Sequence, residues 1–172
     1  MIIRELTIPE YDSRVPRLAE ILIDAVDSGA GVSFMHPLSQ EIAETYWQKQ
    51  IADVGSGQTT LFIAEENDVI LGTVMMQKAW APNQPHRVEV AKLLVHRNFR
   101  KRGLGKLLMN ALEKKARDSG FALITFDAVA HGPVEQFYRG LGFTRAGIIP
   151  KYAYGKGTLD DTALFYKQLT QL

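Results

Sequence analysis

The run Arg100-Lys101-Arg102-Gly103-Leu104-Gly105 combines basic side chains and glycines at a spacing that can hold an anion. It follows an apolar run from Val88 to Val95 and opens a helical pattern that continues to Ser119, so it reads as strand, basic turn and helix start. The first turn of a helix leaves several N–H groups without intrahelical partners and carries the positive end of the helix dipole, which suits a phosphate. Glycine at 103 and 105 removes Cβ atoms that would hold a phosphate away from those N–H groups. A kinase-type loop needs G-x-x-x-x-G-K and then Ser or Thr, which the sequence lacks, and a dinucleotide fingerprint needs a third glycine where the chain has Leu108.

Two carboxylates stand near this turn in the pattern. Glu89 lies inside an otherwise apolar strand, between Val88 and Val90, where it must face water, a partner such as Arg87 or Lys92, or a cleft. In a cleft it suits a general base toward an ammonium group. Asp127 comes at the C-terminal end of the next strand and can bind an amine or share that role, or serve as a turn residue. His36, His86 and His96 fall in loops and turns without ligand spacing, so no metal is expected.

The elements that position these residues follow from the rest of the chain. Its 172 residues, 46% hydrophobic and 23% charged, fit one domain over 1–172 with a sizeable core. A formal net charge of +1 gives no wide field for nucleic acid or an anionic membrane. The sequence has no cysteine, which excludes a disulfide framework and a thiol nucleophile and fits a reducing compartment. No apolar stretch approaches a membrane span, and Met1 to Glu5 do not resemble a leader, so a cytoplasmic protein is expected.

Ile2 to Leu6 reads as a strand, and Val15 to Asp27 as a helix with Pro16 in its first turn. Phe34 sits in a glycine- and proline-flanked loop and is a candidate wall of a pocket. A second helix starts after Ser39, an N-cap residue by type, and ends at Gly55 to Gly57. Thr60 to Ala64 and Val69 to Met76 form a hairpin, and Arg87 to Val95 a further strand. After the glycine turn, Leu104, Leu108 and Leu112 share one helix face. Phe121 to Phe126 is a buried strand, Val134 to Leu141 a helix, and Phe143 to Ile149 and Thr162 to Leu169 closing strands around a loop from Pro150 to Leu159. The order implies an α/β fold with one mixed central sheet.

Lys92 to Gly105, followed by Gln136-Phe137-Tyr138-Arg139-Gly140-Leu141-Gly142-Phe143, resembles the Gcn5-related N-acetyltransferase (GNAT) superfamily. The first block is similar to that family's acetyl-CoA pyrophosphate motif and the second to its Tyr-x-x-x-Gly-Phe signature. Gly29 to Met35, Val88 to Leu93 and the ending Leu159 to Leu169 are closer in type to tabtoxin-resistance acetyltransferases, which modify a small β-lactam amino acid. The resemblance implies the GNAT fold, a single mixed sheet with splayed neighbouring strands and about four helices. It implies acetyl-CoA as co-substrate, with the N–H groups of Arg100, Lys101, Arg102, Gly103, Leu104, Gly105 and Lys106 on its pyrophosphate. The backbone of Leu93, Leu94 and Val95 would pair with the pantetheine arm, the N–H of Leu94 facing the thioester carbonyl. Glu89 or Asp127 would be the base and Tyr138 the acid, since a phenol can hydrogen-bond the leaving sulfur. His131 replaces an asparagine common in the family and is expected to make a minor cofactor contact.

The expected function is transfer of an acetyl group to a primary amine of a small molecule, with Phe34, Glu89 and Asp127 contacting it. An amino-acid-like amine or a β-lactam toxin is favoured. A protein or peptide acceptor, a GNAT module that binds acyl-CoA without catalysis, and a nucleic-acid binder using the basic turn are the competing readings. Monomer and homodimer are both compatible with the sequence, and no membrane or nucleic-acid partner is expected.

Overall fold

A computed structural model describes residues 1–155 and 157–169. Along the chain run β1 (Ile2–Glu5), α1 (Ile8–Asp27), α2 (Gln40–Gly55), β2 (Thr59–Glu66), β3 (Val69–Lys78), β4 (Arg87–Val95), a 3-10 turn (Arg97–Phe99), α3 (Leu104–Asp118), β5 (Leu123–Val129), α4 (Pro133–Gly140), β6 (Thr144–Tyr154) and β7 (Leu159–Gln168). The seven strands make one sheet in the order β1-β2-β3-β4-β5-β7-β6. Every neighbouring pair is antiparallel except β4 with β5. This is the mixed α/β architecture that the element order implies.

Alternation along the strands sends side chains to two cores. Phe62, Val74, Val88, Ile124 and Phe126 pack with Leu104, Leu108 and Leu112 of α3 and Tyr138 of α4. Leu61, Ile63, Met75 and Leu94 pack on the opposite face with Tyr11, Leu18, Leu22 of α1 and Trp47 of α2. A side chain of this size stabilises the fold by roughly 1.5–3 kcal/mol when fully buried. Each sheet face therefore has its own helical layer, and a residue's face follows from its parity.

Several boundaries differ from the sequence expectation. The first helix begins at Ile8, because Pro9 suits its first turn and the Glu10 carboxylate accepts from the Thr7 N–H at 3.0 Å. Pro16 lies inside that helix on the exposed side, where the carbonyl left without its N–H partner can meet water. Ser39 is the N-cap of α2, accepting from Ile42 N at 3.3 Å. The expected strand at 121–126 shifts to Leu123–Val129, and β6 runs on through most of the expected loop, because Ala153 and Tyr154 pair with Asp160 and Leu159. Of the expected loop and the expected 1–172 domain, residues 156 and 170–172 lie outside the described residues.

Candidate active site

β4 and β5 pair over only three positions, Arg87 to Glu89 against Leu123 to Thr125, and then part. Beyond them β4 remains paired with β3 and β5 with β7, so an opening forms in the middle of the sheet. The expected splay is this opening, and Leu93, Leu94 and Val95 border it on the β4 side. Each side of the sheet offers the opening a different chemistry.

On the α3 and α4 side lies a cleft of about 480 Å³ lined by Val95, Phe99, Phe137 and Leu141 together with the basic turn. Gly103 is the N-cap of α3 at φ 79°, a left-handed conformation that a Cβ would strain. The first helical bond runs from Leu107 N to Gly103 O at 3.2 Å, which leaves the N–H groups of Leu104, Gly105 and Lys106 free of intrahelical partners. Gly105 serves packing as well: a Cβ there would stand 3.3 Å from the ring of Phe137 on α4. The cleft thus joins a helix start with free N–H groups to an apolar trough.

The arginine side chains of the turn are engaged in holding it. Arg100 donates to Val95 O at 2.9 Å, to Asp24 Oδ2 at 3.1 Å and to Ser28 Oγ at 3.1 Å. Arg97 bonds the same buried Asp24 through its Nε and through its backbone N–H at 2.9 Å. Burial pushes the Asp24 carboxyl upward, but the Arg97 hydrogen bonds outweigh it and hold the group below its ordinary value. Arg102 reaches both Glu66 oxygens at 3.1 Å. Lys101 and Lys106 are exposed and have no ion pair among the described residues.

Tyr138 is buried among Phe126, Phe137, Phe143 and Phe165, with ring centroids 4.3 Å from Phe126. Burial and then the charge of Asp127 push its phenol above the ordinary value, so it keeps its proton at neutral pH. Asp127 itself follows Phe126 and is on the opposite face of β5, as is Val129, which touches the loop after α1 near Gly31. Tyr138 and Asp127 therefore stand on opposite faces of the sheet at β5, and neither is among the residues that line the cleft.

On the α1 and α2 side, Glu89 is in register with Thr125, and Arg87 bridges them, donating to Glu89 Oε1 at 2.6 Å and Thr125 Oγ1 at 2.6 Å. Glu89 is thus occupied by Arg87 at the closed end of the opening. Phe34 packs edge-on against Tyr46 at 5.2 Å. Lys92, half-buried, sets its Nζ over both rings at 5.5 and 5.2 Å and donates to Val32 O at 2.9 Å. Burial draws its ammonium below the ordinary lysine value, with Asp127 opposing. His131 sits apart at the β5–α4 turn with Nε2 3.4 Å from Asp161 Oδ2 and does not line the cleft. Among the described residues no group of three or more potential ligands is placed to hold a metal ion.

A sequence model of the acetyltransferase (GNAT) family matches residues 23–143, from the end of α1 to the residue after α4's closing turn. The chain belongs to the GNAT family. It is 30% identical over 112 residues to an uncharacterized N-acetyltransferase from the hisH-hisA intergenic region of Azospirillum brasilense, a match that spans 64% of this chain and 65% of that protein. A protein from Salmonella typhimurium solved with its cofactor acetyl-CoA has the same fold, with TM-score 0.81, 20% identity, and 100% of this chain and 95% of that chain covered. So does the ribosomal-protein-alanine N-acetyltransferase from Brucella melitensis, at TM-score 0.80 and 20% identity, covering 98% of this chain and all of that one.

Three further residues around the candidate site, Lys92, Asp24 and Tyr46, are not singled out by the sequence. Lys92 was open to the argument that singles out Glu89, a charge within an apolar strand, but only the fold shows which face it takes. Asp24 and Tyr46 lie on amphipathic helices, where nothing in their spacing separates them from ordinary surface or core residues.

Proposed function

We propose that this GNAT-family protein, acting as one domain over 1–172, is an acetyl-CoA-dependent N-acetyltransferase that modifies a primary amine of a small molecule by direct attack on the thioester. The observation that carries the reading is the parting of β4 from β5, with a cleft that suits an anion on one face and Asp127 and Lys92 on the other. The residues fit acetyl-CoA. The free N–H groups at the start of α3, with Lys101 and Lys106, suit a pyrophosphate, and the trough of Val95, Phe99, Phe137 and Leu141 suits a pantetheine arm. Arg100 and Arg102 act through the shape of the turn, since their side chains are held by Asp24 and Glu66. When bound, acetyl-CoA supplies an activated acyl group.

The chain's own groups then divide the work. Asp127 accepts the proton of the acceptor ammonium, and Glu89, held by Arg87, lines the same side. The backbone of Leu93 and Val95 on β4 faces the opening and offers donors to charge developing on the carbonyl oxygen, whereas the expected donor, the N–H of Leu94, stands opposite Thr73 in the ladder with β3 and points away from the opening. Tyr138, protonated at neutral pH, donates toward the leaving sulfur. His131, beside Asp161, has no step in this scheme.

The acceptor side is crossed by a loop, which supports a small amine over a protein chain. The loop after α1 closes on it, with Val32 O tied to Lys92 and Gly31 so near Val129 that a Cβ would lie 2.6 Å from its methyl. Amino-acid-like amines, including β-lactam toxins, are of the right size. The cysteine-free sequence fits a reducing compartment, and we place the protein in the cytoplasm. Release of free thiol from acetyl-CoA, measured with amino acids, polyamines, aminoglycosides and tabtoxinine-type lactams, tests the proposal: amine-dependent release supports it, and acetyl-CoA binding with no amine-dependent release refutes it.

A further inference from the structure

Resting on the reading of the β4–β5 opening as the site of acetyl transfer, we infer that Lys92 binds the carboxylate of a zwitterionic acceptor, an amino acid or close analogue whose ammonium goes to Asp127. The fold brings Lys92 to this position by an irregularity. Val88 and Val90 point to the α3 core, and strict alternation would send Lys92 after them. The register instead shifts between Thr73 and Met75 of β3, opposite Leu94 and Ala91, and Lys92 takes φ 49°, which side chains with a Cβ seldom adopt. Thr73 Oγ1 secures the bulge by donating to Lys92 O at 3.0 Å. Ala91 and Leu94 on either side both pack toward α1 and α2, and Lys92 joins Phe34 and Tyr46 on that face. The extra residue turns a lysine from a core into an opening.

The ammonium that results is under-partnered. It has three donors and, among the described residues, one acceptor, Val32 O. The two aromatic faces attract its charge without supplying a carboxylate. Lys167 shows what this fold does with a half-buried structural lysine: its Nζ lies 2.6 Å from Glu113 Oε2 and 2.8 Å from Leu141 O. Lys92 has no such ion pair among the described residues, and its lowered proton affinity is the consequence of burial without one. An anion arriving there completes the pair.

The charge pattern of the opening fits one kind of ligand. Arg87 neutralises Glu89, which leaves Asp127 on β5 and Lys92 on β4 as a negative and a positive group on the same face of two separating strands. A simple alkylamine would satisfy Asp127 alone and leave Lys92 as it is. An α-amino acid satisfies both.

The test compares matched pairs at saturating acetyl-CoA: leucine with isoamylamine, phenylalanine with phenethylamine, and lysine with cadaverine. The wild type favours the amino acid of at least one pair. In Lys92→Met the ratio of kcat/KM between acid and decarboxylated amine falls by at least roughly tenfold, the loss of one charge-assisted contact, and mainly through KM. Lys92→Arg, which keeps the charge, recovers much of the ratio. A wild type that prefers the decarboxylated amines, or a Lys92→Met that lowers both members of each pair equally, overturns the inference. If no amine releases thiol, acetyl transfer itself has failed. Calorimetric titration of leucine and phenylalanine into the acetyl-CoA-loaded protein then decides the role of Lys92: binding that Lys92→Met abolishes supports it, and no binding by the wild type overturns it.

Discussion

Arg100 Nη2 lies 3.1 Å from Oδ2 of Asp24, so a carboxylate buried on α1 holds the turn that opens α3. Arg97 joins the same carboxylate, and the strand-to-helix turn is thereby fixed to the helical layer on the other side of the sheet. In the proposed function Asp24 is a positioning residue for the pyrophosphate site. Asp24→Ala is expected to raise the KM for acetyl-CoA about tenfold while the KM for the amine changes little, and to cost roughly 1–3 kcal/mol in stability for the hydrogen bonds lost. Initial rates with each substrate varied separately check the split, and equal effects on both KM values would leave Asp24 a purely structural group.

Tyr138 stands on the α3 and α4 side of the sheet with its phenol raised by burial and by Asp127. Tyr138→Phe keeps the ring among its aromatic neighbours and removes only the donor. The expected outcome is a fall in kcat of about a hundredfold, the usual scale of a general acid, with acetyl-CoA affinity retained. Stopped assays together with calorimetric binding check this, and unchanged kcat removes Tyr138 from the acid role.

The two carboxylates are separable because only Glu89 is held by a guanidinium. Asp127→Asn is expected to lower kcat/KM about a hundredfold for every amine acceptor. Glu89→Gln leaves Arg87 bonded to Gln84 and Thr125 and is expected to have a smaller effect, largest at low pH where more of the amine is protonated. pH profiles of both variants check the assignment. The reverse order of effects would transfer the role of base to Glu89.

The fold, with the strand-to-helix turn of the candidate site, is legible in the sequence because it rests on local signals. The helix-start glycines, the Tyr138-to-Phe143 signature and the alternating strands each lie within a few consecutive residues. The acceptor side is less so. Lys92 reaches it through a bulge, Asp24 reaches the turn across 76 positions to Arg100, and Arg87 claims Glu89 through a pairing with Thr125 that only the folded sheet creates. The early end of the first helix is missed because Pro16 reads as a start, when Pro9 and Glu10 already provide one.

Stability is expected to fall in acid. Hydrogen bonds from Arg4 and then the Thr7 backbone hold Glu10 at about 2, against an ordinary 4.5. Asp24 and Glu113 are also held low, since Arg97 and Lys167 outweigh burial, and Glu135 is lowered by Arg139. For such groups the folded state binds fewer protons than the unfolded chain, so their contribution is full above about pH 5 and is lost as pH falls toward 2. Thermal unfolding from pH 6 to pH 2.5 should show a falling midpoint, with a shallower fall in Glu10→Gln. A midpoint level down to pH 3 would contradict this.

The central claim is that cofactor and acceptor meet through the β4–β5 opening from opposite faces of the sheet, both bound at once. Initial rates with acetyl-CoA and an accepted amine varied together test it most directly. Direct attack within such a ternary complex predicts double-reciprocal lines that intersect; parallel lines, the mark of an acetylated enzyme formed before the amine binds, would contradict it.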